Sequence, residues 1–105
     1  HACKSGVSDG SFENDIEALM MARNFIDLLP SNNRSGAPSR PFDDPANRVD
    51  YSLDTLIPEN TNVPYDMHEV INKIVDEQHF FEIKPDFAKN IIIGLGRIEG
   101  EVVGI

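Results

Sequence analysis

Proline placement constrains this chain more than any other feature. Of its seven prolines, six fall at positions 30, 38, 41, 45, 58 and 64, so the 35 residues from Pro30 to Pro64 cannot carry a long helix or a central strand. Ser31-Asn32-Asn33-Arg34-Ser35-Gly36 has turn composition, and only Tyr51 to Ile57 offers apolar anchors, enough for one helical turn or a short extended piece. A loop of that length is foreign to a compact domain of 105 residues, so the stretch reads as a connection between two bodies.

The flanks are regular. Asn14 and Glu17 form an N-x-x-E capping box ahead of Ile16, Leu19, Met20, Phe25, Ile26, Leu28 and Leu29, which predicts a helix over Asp15–Leu29 ended by Pro30. Asp27 is placed to pair with Arg23 one turn back. The helix is too apolar to stand in water and must pack on something. Beyond the connector, Asp66 and Glu69 make a second capping box, with Tyr65 and Val70 as a hydrophobic staple. Met67, Val70, Ile71, Ile74 and Val75 then recur at helical spacing and predict a helix from Met67 to about Glu77. Phe80 to Ile83 reads as a short strand. Asn90 to Ile98 is too uniformly apolar for a strand with one wet face and implies a sheet covered on both sides. Glu99-Gly100 turns the chain into a return strand, Glu101 to Ile105, by a type I′ turn or a type I turn with a glycine bulge. The fold class is α/β.

Composition limits function. Eighteen acidic against nine basic residues give a formal charge of −9, which repels phosphate backbones and anionic lipid, so nucleic acid and membrane are disfavoured as partners. No apolar run reaches the roughly 18 residues a membrane span requires. A lone Cys3 cannot close an internal disulfide and fits a reducing compartment. Asn33-Arg34-Ser35 matches a glycosylation acceptor at chance level.

The chemistry-bearing patterns are sparse. Gly94, Gly96 and Gly100 mimic a dinucleotide fingerprint, but the third glycine is one residue late and a hairpin follows where a helix should receive the phosphate. His1, His68, His79 and Cys3 lack metal-ligand spacing, and His68 falls on the polar side of its helix, so no metal is expected. Asp43-Asp44 and Asp76-Glu77 are adjacent carboxylates that point apart and read as solvated charges. There is no G-x-S-x-G elbow and no P-loop. From the residues alone no catalytic, cofactor-binding or metal residue is assigned.

The order of the pieces nevertheless resembles a known family. Ser5-Gly6-Val7 with Asp9, Phe12-Glu13-Asn14-Asp15, Leu28-Leu29-Pro30-Ser31-Asn32-Asn33 and Leu53-Asp54-Thr55-Leu56-Ile57-Pro58 are similar to the middle of a biotin-dependent carboxyltransferase. So are Tyr65-Asp66, Ile74-Val75-Asp76-Glu77, Phe80-Phe81-Glu82-Ile83, Ala88-Lys89-Asn90-Ile91-Ile92 and Gly96-Arg97-Ile98-Glu99-Gly100. The resemblance runs the length of the chain and is greatest to the propionyl-CoA-specific group of acyl-CoA carboxylases.

The resemblance implies a fragment spanning the junction of two crotonase-like carboxyltransferase domains. Residues 1–30 would end the N-terminal domain, 31–50 form the linker and 51–105 begin the C-terminal domain. It also implies transfer of a carboxyl group from carboxybiotin to an acyl-CoA, giving methylmalonyl-CoA from propionyl-CoA. Biotin would be carried by a partner α subunit, and the β subunits would form a homo-oligomer in the cytoplasm or mitochondrial matrix. The family's oxyanion donors sit in glycine-rich turns, expected before His1 and after Ile105, so no catalytic residue is carried over. Glu99 stands where relatives often have Asn, a difference of turn geometry. Two other readings stay open: a related carboxylase or decarboxylase for another acyl-CoA, and a free-standing interaction module.

Overall fold

Asn14 opens the first helix as its sequence predicts. Its side-chain oxygen accepts the Glu17 N–H at 2.8 Å, satisfying one of the orphan donors of the first turn. The Glu17 carboxylate reaches back to the N–H of Glu13 at 3.3 Å, one residue earlier than a standard capping box. In the computed structural model, which describes residues 1–105, this helix (α1) spans Asp15–Asp27. It stops two residues before the expected end because the Leu28 and Leu29 N–H groups bond three residues back, tightening the last turn ahead of Pro30.

A single turn of helix, α2 (Leu53–Leu56), interrupts the proline-rich stretch. Asp50 sets it up by accepting the Ser52 N–H at 3.0 Å and facing Lys73 of the next helix at 3.5 Å. That helix, α3 (Met67–Ile74), begins at Asp66, whose carboxylate accepts the His68 N–H at 2.9 Å. It ends three residues before the expected Glu77. Val75 turns extended, and a 3-10 turn at Asp76–Gln78 with Glu77 at φ 54° follows. The break lets Val75 bury completely and aims the Asp76 carboxylate at the neighbouring hairpin.

Three strands make one antiparallel sheet in the order β1 (Phe80–Ile83), β2 (Ile93–Ile98), β3 (Glu101–Gly104). Phe80 pairs with Gly96 and Ile83 with Ile93, while Leu95 faces Gly104 and Ile98 faces Glu101. Residues 90–92, expected in the strand, belong to a turn in which the Ile91 N–H bonds to Ala88. Glu99 and Gly100 both have positive φ, 52° and 78°, which settles the hairpin as a type I′ turn.

Alternation along the strands sends side chains to two covered faces. On one, Phe81 stacks on Phe25 of α1 with ring centroids 5.5 Å apart. On the other, Gly96 lies under Val75, so closely that a Cβ there would come within 2.7 Å of the valine methyl. The sheet thus has α1 on one side and the end of α3 on the other, but the two-sided cover that the apolar β2 sequence implies is only partial, since Ile93 and Ile98 remain exposed. Burial is concentrated in Leu28 (2% exposed), Ile71 (7%) and Val75 (0%). The predicted buried face of α3 is only half realised, since Met67 and Ile74 remain exposed.

The surface is large for the length. The chain exposes 8083 Å², against about 5,900 Å² for a self-contained protein of its mass. Its radius of gyration is 15.9 Å, against about 13 Å. Ile16, Leu19, Met20 and Ile26 share the α1 face turned away from the sheet and are all exposed. This segment therefore presents apolar surface that other protein must cover.

Candidate functional site

Three polar junctions tie the layers together. The first is His68, near the start of α3. Its Nδ1 lies 2.7 Å from Asp66 and its Nε2 2.8 Å from Glu82 of β1, so one ring joins the helix cap to the sheet. The hydrogen bonds His68 donates to Glu82 and then to Asp66 raise its pKa above its ordinary 6.5, because two carboxylates favour the form with two N–H donors. The same contacts, led by the His68 N–H, lower the pKa of Asp66. His68 is therefore a structural bridge as well as a surface histidine.

The sign of the pH effect follows. Stabilisation from a raised histidine pKa is fully present below about pH 6.5 and is lost as pH rises through the folded value. The Tm gap between the full-length protein and its His68→Gln variant is expected to be wider at pH 6 than at pH 9. Thermal melts at the two pH values check this, and an equal gap would remove the charged bridge.

The second junction is Asp76, in the 3-10 turn. Sequence reasoning reads it as a solvated charge, and the structure corrects this. Asp76 is 7% exposed, and its two oxygens accept the N–H groups of Glu99 at 3.1 Å and Gly100 at 2.7 Å. Burial of a carboxylate is tolerable here because each oxygen has a backbone donor. Glu77, its neighbour, stays outside and pairs with Arg40 at 3.0 Å.

The third is Arg97 of β2, whose side chain is 3% exposed. It pairs with Asp27 at the end of α1 at 2.9 Å, so Asp27 serves a partner 70 residues away instead of the expected Arg23. His79 Nδ1 lies 3.5 Å from the same guanidinium. Burial, then the Arg97 charge, depress the His79 pKa. A signal for Arg97 exists in the sequence: a cation inside an apolar strand requires a counter-ion.

An apolar cleft of about 470 Å³ opens between α1 and β1, lined by Phe12, Ala18, Met21, Phe25, Phe81 and Ile83 among others. The remaining sequence candidates stay separate. His1 meets Ser5 at 2.8 Å, Cys3 is exposed and unpaired, and Asp44 pairs with Arg48. No three His, Cys, Asp or Glu side chains converge on a point that would hold a metal ion. Gly94 and Gly96 lie inside β2 and Gly100 in the hairpin turn, so no helix N-terminus faces them. The polar groups hold architecture together. No buried side-chain nitrogen or oxygen lacks a hydrogen-bond partner.

No helix is long and apolar enough to cross a membrane. Comparison with known proteins places this architecture. The propionyl-CoA carboxylase beta chain of Cereibacter sphaeroides is 57% identical over all 105 residues, and the mitochondrial propionyl-CoA carboxylase beta chain of Homo sapiens is 44% identical. The match covers 21% and 20% of those relatives, so the chain spans about a fifth of their length. Among solved structures, the transcarboxylase 12S hexamer with hydrolysed methylmalonyl-CoA bound superposes with a TM-score of 0.92 at 29% identity. That match covers 99% of this chain and 20% of the transcarboxylase chain, and the α/β fold is crotonase-like. Residues 1–105 match the carboxyl transferase domain throughout, and the chain belongs to that family.

Proposed function

We propose that the chain is part of the carboxyltransferase subunit of a biotin-dependent acyl-CoA carboxylase that converts propionyl-CoA to methylmalonyl-CoA. The observation that carries this reading is identity of 57% to a propionyl-CoA carboxylase beta chain along the whole of the 105 residues. In this reading residues 1–30 close the N-terminal carboxyltransferase domain, 31–50 link, and 51–105 open the C-terminal one. The proline-rich stretch and the helices flanking it support that division.

This segment does not itself fit biotin. Its buried polar groups, Asp76 and Arg97, are already engaged, and the α1–β1 cleft is walled mostly by apolar side chains. The acyl-CoA and carboxybiotin sites, with the oxyanion donors that transfer between them requires, belong to the rest of the subunit. Residues 1–105 contribute scaffold between those parts. The partners proposed are an α subunit carrying biotin and further β subunits in a homo-oligomer, working in bacterial cytoplasm or mitochondrial matrix.

The test uses the full-length subunit with its biotin-carrying partner. With ATP to activate it, labelled bicarbonate should be fixed into propionyl-CoA, giving methylmalonyl-CoA, with higher kcat/KM than acetyl-CoA or longer and branched acyl-CoAs. The Mycobacterium leprae relative, an acetyl-/propionyl-coenzyme A carboxylase beta5 subunit at 41% identity, makes acetyl-CoA the pertinent competitor. Absence of propionyl-CoA carboxylation would reject the assignment.

A further inference from the structure

The connector is not uniform. Between Asn32 and Ser35 its hydrogen bonds stay local: the Asn32 side chain accepts the N–H of Arg34 at 2.9 Å and of Ser35 at 3.1 Å. Gly36 has open space where a side chain would stand. From Pro38 the behaviour changes. The Val102 N–H donates to the Pro38 carbonyl at 3.4 Å and the Arg40 N–H donates to the Gly100 carbonyl at 3.0 Å, an antiparallel bridge centred on Ser39 and Glu101. Pro38 to Arg40 thus pairs with the free edge of β3 as a fourth, very short strand.

Side chains hold the same register. The Arg40 guanidinium reaches the Glu77 carboxylate at 3.0 Å, across to the 3-10 turn. Gly100 is essential to the fit: a Cβ there would overlap the Arg40 carbonyl and come within 3.0 Å of the Phe42 ring. The Asp76 carboxylate grips the N–H of that glycine from the other side at 2.7 Å. One hairpin turn is therefore held by the 3-10 turn behind it and by the connector in front of it.

We propose that residues 38–42 are a strap locked on the β3 edge, and that residues 31–37 ahead of it are the freer part of the chain between α1 and the sheet. The strap then moves as part of the sheet, to which α1 is pinned separately by the Phe25–Phe81 stack and the Asp27–Arg97 pair. This inference does not depend on the reaction proposed above.

Hydrogen–deuterium exchange on the full-length subunit tests it. The Arg40 and Val102 amides, the two donors of the bridge, should exchange at least about tenfold more slowly than the Asn33 and Gly36 amides of the turn ahead of it, as paired edge amides do relative to exposed turns. Gly100→Ala should accelerate exchange at Arg40 and at Val102 by about tenfold or more while α3 keeps its protection. Arg40→Pro is the second variant, since Arg40 is exposed and the change removes its N–H and its ion pair while holding φ at a value an edge strand tolerates. It should free Val102 in the same way, even where Gly100→Ala fails to fold. Exchange of Arg40 and Val102 as fast as that of Asn33 and Gly36 in the unaltered subunit, or an unchanged Val102 amide in a folded Arg40→Pro protein, would overturn the strap.

Discussion

Leu28→Asp is expected to destabilise the full-length subunit by more than about 4 kcal/mol, read as loss of soluble protein or a large drop in Tm. Leu28 is 2% exposed at the point where α1 ends over the sheet. The substitution removes a buried isobutyl group, worth roughly 2–5 kcal/mol when a buried leucine is cut back to alanine, and leaves a carboxylate in its place. The nearby buried cation, Arg97, already serves Asp27 and offers the new charge only a contested partner. Leu28→Met, which conserves volume, should cost less than about 1.5 kcal/mol. Parallel thermal melts of the two variants check the pair. An unchanged Tm for Leu28→Asp would show that Leu28 is not a core anchor in the assembled protein.

Asp76→Ala should carry the second largest penalty, about 2–5 kcal/mol. Two backbone N–H groups, of Glu99 and Gly100, lose their acceptor, and a buried unsatisfied donor costs roughly 1–3 kcal/mol each. Asp76→Asn keeps one carbonyl oxygen and turns an amide N–H toward the other donor, so it should fall between aspartate and alanine. The loss ought to be regional. The hairpin turn should exchange amide hydrogens faster in both variants, while α1, far from it in sequence, keeps its protection. Equal Tm values for Asp76→Ala and the parent would mean that water replaces the carboxylate without penalty.

What the sequence made legible was local. The Asn14 and Asp66 caps, the type of every main element and the Glu99-Gly100 turn depend on residues within four positions of one another, and those interactions survive whatever the rest of the chain does. The errors lie where a distant partner prevailed. Asp27 turns to Arg97 instead of Arg23, because a buried guanidinium demands a carboxylate more strongly than an exposed helical pair rewards one. The α3 helix stops early because Asp76 does more for the hairpin than for another helical turn. The connector seemed unpaired because a two-bond bridge to a sheet edge leaves no periodicity to read. The candidate site obeys the same rule. Sequence alone supplied no reacting group here, and the structure shows the ionisable side chains of the core spent on tying layers together.

The Asp27–Arg97 pair has a consequence during synthesis. Its two halves are separated by 70 residues, so at about 5–20 residues per second the ribosome needs roughly 4–14 s after making α1 before its counter-ion exists. The Lys84 ammonium, which holds Asp9 at 2.9 Å, imposes a similar delay on the residues ahead of α1. Throughout that interval Phe25 of the helix and Leu28 at its end have no sheet to receive them. Transiently exposed apolar surface of this kind is prone to aggregate, so codon changes that lengthen the pause between Leu28 and Arg97 should lower soluble yield without altering a single residue.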